Sequence, residues 1–265
     1  AVPQLGIPLD LLLANGSFLL SAELFEGYWV LRMPFLISFV MVAIGIFIRM
    51  QVAESPEFEK AKADKQIVQQ PALEVIRRDW RTIVKIMGLR LAETGGYYIT
   101  TSFMLSYVVL AEITDTRHVL WGTLIGSALG LGSHLLYGAL SDKVGRRPIF
   151  LIGAIFTILF GIPMFMLINT GAVMMVIVAV ALSLPFSHDP RFAVESSWFS
   201  EQFPANVRSA GIPLGYNGAS VVAGLFSSIA TGVYGSVAWI GPSLMSSFLG
   251  CLLTQAASIT SATPS

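Results

Sequence analysis

Four ionisable side chains lie close together in one largely apolar part of the chain. The segment SHDPRFAVESSWFSEQF places His188, Arg191 and Glu195 three and four residues apart, with Asp189 beside them. On an α-helix these spacings put the side chains on one stripe. Because histidine titrates near neutrality and burial tunes a carboxylate, such a set could relay protons. The alternative is a helix that breaks at Pro190, with the charged groups forming a solvated, paired cluster.

A second charged pair, Arg90 and Glu93, stands three residues apart in another apolar run. The two side chains share one helix face, so they can pair with each other or with another helix. The planar guanidinium of Arg90 also suits a carboxylate substrate, which it can bind through two hydrogen bonds. A salt bridge and a role in substrate binding or coupling therefore both remain open.

Hydroxyl side chains follow this pair along the same predicted helix. Tyrosines can form a belt at a membrane interface, but Tyr97 and Tyr98 fall in the middle of the run, which favours the lining of a cavity. Farther along the chain, Tyr216 and Asn217 lie among closely spaced glycines and are candidate substrate contacts. The hydroxyl residues of the first group are Tyr97, Tyr98, Thr100, Thr101 and Tyr107.

A stripe of small residues repeats at four-residue steps in a third apolar run. Small residues at this spacing allow helices to approach closely inside a membrane. His134 lies on the stripe and is expected to be a packed, hydrogen-bonded histidine rather than a proton carrier. The glycines of the stripe are Gly122, Gly126, Gly130 and Gly138.

The composition indicates which elements must position these groups. Hydrophobic residues make up 54% of the 265 positions and charged residues 12%, against about 25% charged residues in a soluble domain. The net charge of zero argues against nucleic acid as a partner. Cys251 is the single cysteine, and no zinc-protease, nucleophile-elbow or phosphate-loop motif occurs. The sequence therefore predicts a membrane protein that is not an enzyme, with no cofactor and no metal site.

Apolar runs long enough to cross a bilayer as helices recur along the chain, since a span needs ~20 residues. They predict an all-α polytopic membrane protein. The predicted spans are 1–22, 31–50, 85–110, 119–140, 149–168, 172–200, 210–233 and 236–257.

A polar segment, 51–84, separates the second and third spans. Pro56 and Pro71 suit helix starts, so two short amphipathic helices are expected in this linker. The basic residues concentrate on its side of the membrane, while Arg32 and Arg117 lie on the other. This asymmetry predicts a cytoplasmic linker and a cytoplasmic carboxyl terminus. The basic residues on the linker side are Arg49, Lys60, Lys62, Lys65, Arg77, Arg78, Arg81, Lys85, Lys143, Arg146, Arg147 and Arg208.

The turn between the fourth and fifth spans carries a spaced motif. Charge alone would make it an anchor on the cytoplasmic face, and Gly145 permits a tight reversal. The full pattern, G-x-x-x-D-[RK]-x-G-R-[RK], resembles the cytoplasmic loop motif of the major facilitator superfamily, which joins the second and third helices of each six-helix half. Its residues here are Gly138, Asp142, Lys143, Gly145, Arg146 and Arg147.

Other stretches resemble one branch of that superfamily, the metabolite:proton symporters, which include shikimate, 2-oxoglutarate, citrate and proline/betaine permeases. The stretches are WVLRMPFLIS, LRLAETGGYYITTSFMLSY and SEQFPANVRSAGIPLGYNGAS. The resemblance covers nearly the whole chain. It departs from the family at Asp189 and Arg191, where relatives have small or apolar residues, and at Glu195, where they have Gln; His188 matches.

The resemblance implies a major facilitator fold of which about eight of twelve helices are present. Residues 1–50 would be the last two helices of the amino-terminal bundle, 85–257 the carboxyl-terminal bundle and 258–265 a short tail. We expect the chain to begin inside a larger protein, to need the missing amino-terminal helices as partners, and not to transport alone.

The resemblance also implies function. It predicts an inner-membrane symporter that moves a small polar metabolite with protons by alternating access, an organic acid such as shikimate or a dicarboxylate. A proline/betaine-type zwitterion symporter, a non-transporting scaffold and a channel-like remnant are the alternatives.

Overall fold

The computed structural model of the chain describes residues 5–51, 76–203, 208–238 and 240–259. Within these ranges the chain forms helices joined by short turns, and no strand occurs among the described residues. The helices are α1 Gly6–Leu24, α2 Trp29–Gln51, α3 Trp80–Tyr98, α4 Met104–Leu110, α5 Thr116–Val144, α6 Arg146–Asn169, α7 Val173–Ser183, α8 Asp189–Glu201, α9 Arg208–Ala223, α10 Phe226–Val237 and α11 Ile240–Ile259.

Two π-helical turns join neighbouring helices without a break. Ile99–Phe103 links α3 to α4, and Leu184–His188 links α7 to α8. With α9 and α10 separated by two residues, the described helices group into eight stretches that match the eight predicted spans. Among the described residues, five helical stretches are long and apolar enough to cross a membrane by length and composition, namely Gly6–Leu24, Thr116–Val144, Arg146–Asn169, Val173–Glu201 and Ala210–Val237.

The start of the third stretch differs from the prediction. Helix α3 begins at Trp80 rather than at residue 85, because Ile83 and Ile86 are buried in the core and hold the first turns against the bundle. The predicted linker, 51–84, overlaps the first turns of this helix, and its bounds stay a prediction. Its two predicted amphipathic helices fall mainly on residues 52–75, which lie outside the described residues.

Helices α3 to α11 pack around one core. Helix α11 lies against α6 and α3, α9 against α3, α5 against α7, and α8 against both α5 and α6. Large side chains fill the centre where these helices meet, and Phe103, Phe150, Phe165 and Phe199 are fully buried. Helix α1 packs on α2 and on α5, so it is the element through which the first two helices reach the rest of the chain.

The predicted stripe of glycines on α5 is a surface of close helix approach. A Cβ atom on Gly122 would lie 2.9 Å from the carbonyl oxygen of Ile177, and one on Gly126 would lie 3.1 Å from that of Ala181. Both carbonyls belong to α7, and a backbone cannot move aside as a side-chain end can. The stripe therefore brings α7, and with it α8, close enough to α5 for their polar side chains to meet.

Candidate functional site

Arg90 on α3 is the centre of a buried charge cluster. Its Nη1 donates to Glu93 Oε2 at 2.8 Å and to Glu195 Oε2 at 2.7 Å. The hydroxyl of Tyr216 on α9 donates to the same Glu195 oxygen at 2.9 Å, and the Arg90 guanidinium lies 4.0 Å from the Tyr216 ring centroid. Since Glu93 is 1% and Glu195 0% exposed, one cation pairs with two carboxylates away from solvent.

His188, the last residue of the π-helical turn before α8, extends this cluster. Its Nε2 lies 3.1 Å from Glu93 Oε1, and its Nδ1 lies 3.1 Å from Asp189 Oδ1. The ring of Tyr97 lies 4.8 Å from the His188 ring. The cluster therefore continues from Arg90 through Glu93 and His188 to Asp189, and the candidate Tyr97 lies against it.

Arg191 belongs to the same helix stripe but faces a different neighbour. Its Nε donates to the Ser187 carbonyl at 2.7 Å and its Nη2 to the Ser187 hydroxyl at 3.1 Å. A Cβ atom on Gly153 of α6 would lie 2.9 Å from Arg191 Cγ, so the side chain is packed against α6. The Arg191 side chain is buried, and its Nη1 is a buried donor that has no hydrogen-bond partner among the described residues.

The π-helical turn before α8 sets the direction of these side chains. The Asp189 N–H bonds to the carbonyl of Leu184, five residues back, and Pro190 has no N–H to offer. The helix therefore continues through Pro190, and the alternative of a break at this residue is wrong. Single π-helical turns are common at functional sites because they rotate the side chains that follow.

His134 joins the cluster although the sequence did not place it there. Its Nδ1 lies 2.8 Å from the carbonyl oxygen of Gly130 and 3.5 Å from Asp189 Oδ2. The hydroxyl of Ser133 donates to the same Asp189 oxygen. The expectation of a packed, hydrogen-bonded histidine is confirmed. What the sequence could not show is that the π-helical turn brings Asp189 and His188 to it, and together these three side chains could hold a metal ion.

Like Arg191, the candidates Tyr98, Tyr107 and Asn217 lie outside the hydrogen-bonded cluster. Tyr98 packs edge-on against Tyr97 with ring centroids 5.9 Å apart. Tyr107 is buried and donates to Asn169 Oδ1 at 2.6 Å, which gives it a structural partner at the other end of the bundle. Asn217 is exposed on α9, beside Tyr216.

The loop motif forms a tight corner between α5 and α6. Gly145 has a φ of 95°, a conformation that residues with a side chain rarely adopt. Arg146 Nε donates to Glu201 Oε1 at 2.7 Å and so joins the start of α6 to the end of α8. Asp142 and Lys143 are exposed. The corner therefore ties two helices of one bundle at the predicted cytoplasmic end.

Comparison with known proteins decides the family. The family described as Major Facilitator Superfamily matches residues 14–227, which is more than half of the chain. The chain belongs to the Major Facilitator Superfamily. Membership confirms the resemblance drawn from the loop motif, and it indicates transport rather than catalysis. No solved structure matches the chain significantly.

Within the superfamily, the chain is similar to bacterial transporters of small metabolites. The chain is 31% identical over 234 residues to the shikimate transporter of Escherichia coli K12, covering 84% of this chain and 52% of that protein. It is 31% identical over 230 residues to the inner membrane metabolite transport protein YhjE of the same strain, covering 83% and 52%. It is 28% identical over 214 residues to the proline/betaine transporter of that strain, covering 76% and 42%. The chain thus spans about half the length of the curated relatives it matches.

Proposed function

We propose that this chain is part of a secondary transporter that moves a small polar metabolite together with protons by alternating access. The substrate class that fits its site is an organic acid, such as shikimate or a dicarboxylate. The observation that carries the proposal is the buried ion cluster of Arg90, Glu93 and Glu195, which joins α3 to α8 inside a superfamily bundle.

Arg90 is the group that suits an anionic substrate. It is 8% exposed, and a guanidinium at that depth needs negative partners. A substrate carboxylate can take the place of one of its two protein carboxylates without leaving the cation unpaired. Arginine is favoured over lysine in such a role because its fork can bind a carboxylate through two parallel hydrogen bonds.

Glu195 is the group that suits the proton. Two charged groups on α3, Arg90 and Glu93, face it, Tyr216 faces it from α9, and Arg191 lies one turn away on its own helix. When Glu195 is protonated, it no longer competes for Arg90, and a substrate carboxylate can bind there with no gain of net negative charge. Proton and anion would then bind together, which is the requirement for symport.

The cluster also has unused hydrogen-bonding capacity. Buried polar atoms are normally paired, and each unpaired one costs free energy. A polar substrate entering between the helices would find partners among these atoms. On the arginines and glutamates of the cluster, the atoms that have no hydrogen-bond partner among the described residues are Arg90 Nε, Glu93 Oε1, Arg191 Nη1 and Glu195 Oε1.

The orientation is part of the proposal. The excess of basic residues beside the linker and the 141–148 corner supports a bacterial inner-membrane protein whose linker and carboxyl terminus are cytoplasmic. Because the relatives are about twice as long, we propose that helices outside this chain complete the cavity. Transport experiments therefore require the complete gene product that contains it.

A zwitterion symporter is the second candidate, and the proline/betaine relative favours it. The clustered charges would then bind the two ends of the substrate, with Arg90 on its carboxylate and a glutamate on its cationic end. A scaffold or a channel-like remnant would have no need for a saturable site.

Uptake into proteoliposomes separates these functions. The complete gene product should accumulate one class among shikimate, dicarboxylates and proline or betaine, saturably and only with an inward proton gradient. Arg90→Lys should raise the apparent Michaelis constant for an anionic substrate, while Arg117→Lys at an exposed position should not. Unsaturable flux would indicate a channel, no flux a scaffold, and an unchanged Arg90→Lys variant would exclude Arg90 as the anion site.

A further inference from the structure

A second site lies on the α5 side of the charge cluster. His134, His188 and Asp189 line a cavity of about 10 Å³, and Pro8 of α1 covers it. This volume is at the lower limit of what holds a water molecule or a bare ion. One nitrogen of each histidine and a carboxylate oxygen of Asp189 lie within 4.8 Å of one another. Three side chains of types that bind transition metals therefore converge on one ion-sized space.

The hydrogen bonds of His134 leave one of its nitrogens ready to bind. Its Nδ1 lies 2.8 Å from the Gly130 carbonyl, and because a carbonyl only accepts, Nδ1 must carry the hydrogen. The Nε2 atom then has a free lone pair. It is a buried atom with no hydrogen-bond partner among the described residues, on a side chain that is 1% exposed. An unused lone pair at this depth needs a cation or a donor to be stable.

The other two side chains are held in the manner of metal ligands. The Nδ1 atom of His188 is hydrogen-bonded to Asp189 Oδ1 at 3.1 Å, and its Nε2 lies 3.1 Å from Glu93 Oε1. In the tautomer that carries its hydrogen on Nε2, toward Glu93, Nδ1 has a lone pair for an ion that takes the place of its bond to Asp189. Ser133 donates to the second oxygen of Asp189. Metal-binding histidines commonly donate their other N–H to a carbonyl or a carboxylate. His134 has such an acceptor in the Gly130 carbonyl, the Glu93 carboxylate lies beside His188 Nε2, and the Asp189 carboxylate has its own donor in Ser133.

The charge of the surroundings favours a cation. Three buried carboxylates, those of Glu93, Asp189 and Glu195, face two guanidinium groups, those of Arg90 and Arg191. The excess is therefore one negative charge before any proton or ion is added. A divalent ion held by neutral histidines would be attracted by this excess negative charge, and it would lie at the Asp189 end of the cluster, away from Arg90.

We propose that His134, His188 and Asp189 form a binding site for a divalent transition-metal ion, with Zn²⁺ the ion that fits best. Two imidazoles and one carboxylate are a common protein ligand set for zinc, with a fourth position left for water. A tetrahedral zinc site spaces its ligand atoms ~3.3 Å apart, so side-chain shifts of roughly 1 Å would close the site. The ion would enter along the contact of α1 with α5, where Pro8 lies over the cavity.

Metal titration of the complete gene product in detergent tests this site without any transport assay. The protein is freed of its affinity tag, carries Cys251→Ser to remove an exposed thiol, and is stripped with a chelator. Co²⁺ is the probe, because a tetrahedral nitrogen and oxygen site gives it strong visible absorption, and Zn²⁺ should displace it. His134→Ala and Asp189→Ala should each weaken Co²⁺ binding at least ~10-fold. The matched control is His118→Ala, which removes the remaining histidine of this chain and should leave binding unchanged.

Several results would overturn the site. They are the absence of a tetrahedral Co²⁺ spectrum, equal Co²⁺ affinity in His134→Ala and the unaltered protein, or loss of binding in His118→Ala. If His134→Ala does not fold, X-ray absorption of the zinc-loaded unaltered protein replaces it. Scattering from two imidazole rings supports the site, and a shell of oxygen atoms alone rejects it. Failure of this site would leave the proposed transport function untouched, since Glu195 and Arg90 are not among its ligands.

Discussion

Replacement of Arg90 by methionine tests whether the buried cluster depends on this one cation. Arg90→Met keeps much of the side-chain volume but removes the guanidinium that contacts Glu93 at 2.8 Å and Glu195 at 2.7 Å. Two carboxylates that are 1% and 0% exposed would then keep Thr94, His188 and Tyr216 as partners but no guanidinium. Removing one partner of a buried ion pair costs about 3–5 kcal/mol, and the presence of two carboxylates places the expected loss toward the upper end.

The loss should appear as a lower unfolding temperature. For a chain of this size 1 kcal/mol corresponds to a shift of about 2–4 °C, so Arg90→Met should melt roughly 10 °C or more below the unaltered protein. The assay is thermal unfolding in detergent, followed by tryptophan fluorescence. Arg117→Met is the control, because its ion pair with Glu23 is 3.6 Å long and exposed and is worth at most about 1 kcal/mol.

A second substitution shows whether the cost comes from the stranded carboxylates. Glu195→Gln placed on Arg90→Met removes one of the two unpaired charges, so the double variant should recover about 1–3 kcal/mol, a range typical of directly contacting residues. The reasoning is refuted if Arg90→Met melts with the control. It is also refuted if the double variant is less stable than Arg90→Met alone, since the two side chains would then contribute independently.

Two further substitutions test the packing beside Arg191 and the structural role of Tyr107. Gly153→Val should lower the free energy of unfolding by about 1–3 kcal/mol, because its Cβ would lie 2.8 Å from the Ser187 carbonyl oxygen. The measurement is chemical unfolding. Gly132→Ala is the control, because a Cβ there meets open space, and this variant should be at least as stable as the unaltered protein. Tyr107→Phe should cost about 1 kcal/mol through its lost bond to Asn169 and leave uptake unchanged; impaired uptake at normal stability would place Tyr107 in the pathway.

The helices could be predicted from the sequence because a continuous apolar run that crosses a bilayer forms an α-helix. A spanning backbone must satisfy its own hydrogen bonds, so run length and turn position nearly define each helix. Helix α3 begins at Trp80, before the predicted span, and Arg81 and Lys85 make its first turns polar although Ile83 and Ile86 are buried. One face of the helix is charged there and the opposite face is buried, and a search for continuous apolar runs does not detect a helix of this kind.

The residues of the site could be predicted from the sequence, but most of the contacts between them could not. Arg90 and Glu93 are three residues apart, and their contact follows from helix spacing. The contact of Arg90 with Glu195 joins residues 105 positions apart, and only the packing of α3 against α8 creates it. His134 was placed on a packing stripe, and the residue four positions before it, Gly130, is what makes room there for Asp189.

The direction of the charged stripe on α8 depended on a feature with little sequence signal. The π-helical turn Leu184–His188 shifts the register of every side chain that follows it. Two prolines near the turn indicated an irregular helix, but they do not show whether the chain kinks, breaks or widens. Arg191 and Glu195 both follow this turn in α8; Arg191 bonds back to Ser187 within the turn, while Glu195, one helical turn farther on, reaches Arg90 on α3.

Accumulation driven by a proton gradient in Glu195→Gln proteoliposomes tests the central claim most directly. The claim is that protonation of Glu195 couples proton movement to substrate binding at Arg90. The variant should still exchange substrate across the membrane when concentrations are equal, but it should no longer accumulate substrate when protons flow inward. Glu23→Gln, at an exposed position, should accumulate substrate as the unaltered protein does. Undiminished accumulation by Glu195→Gln would contradict the account.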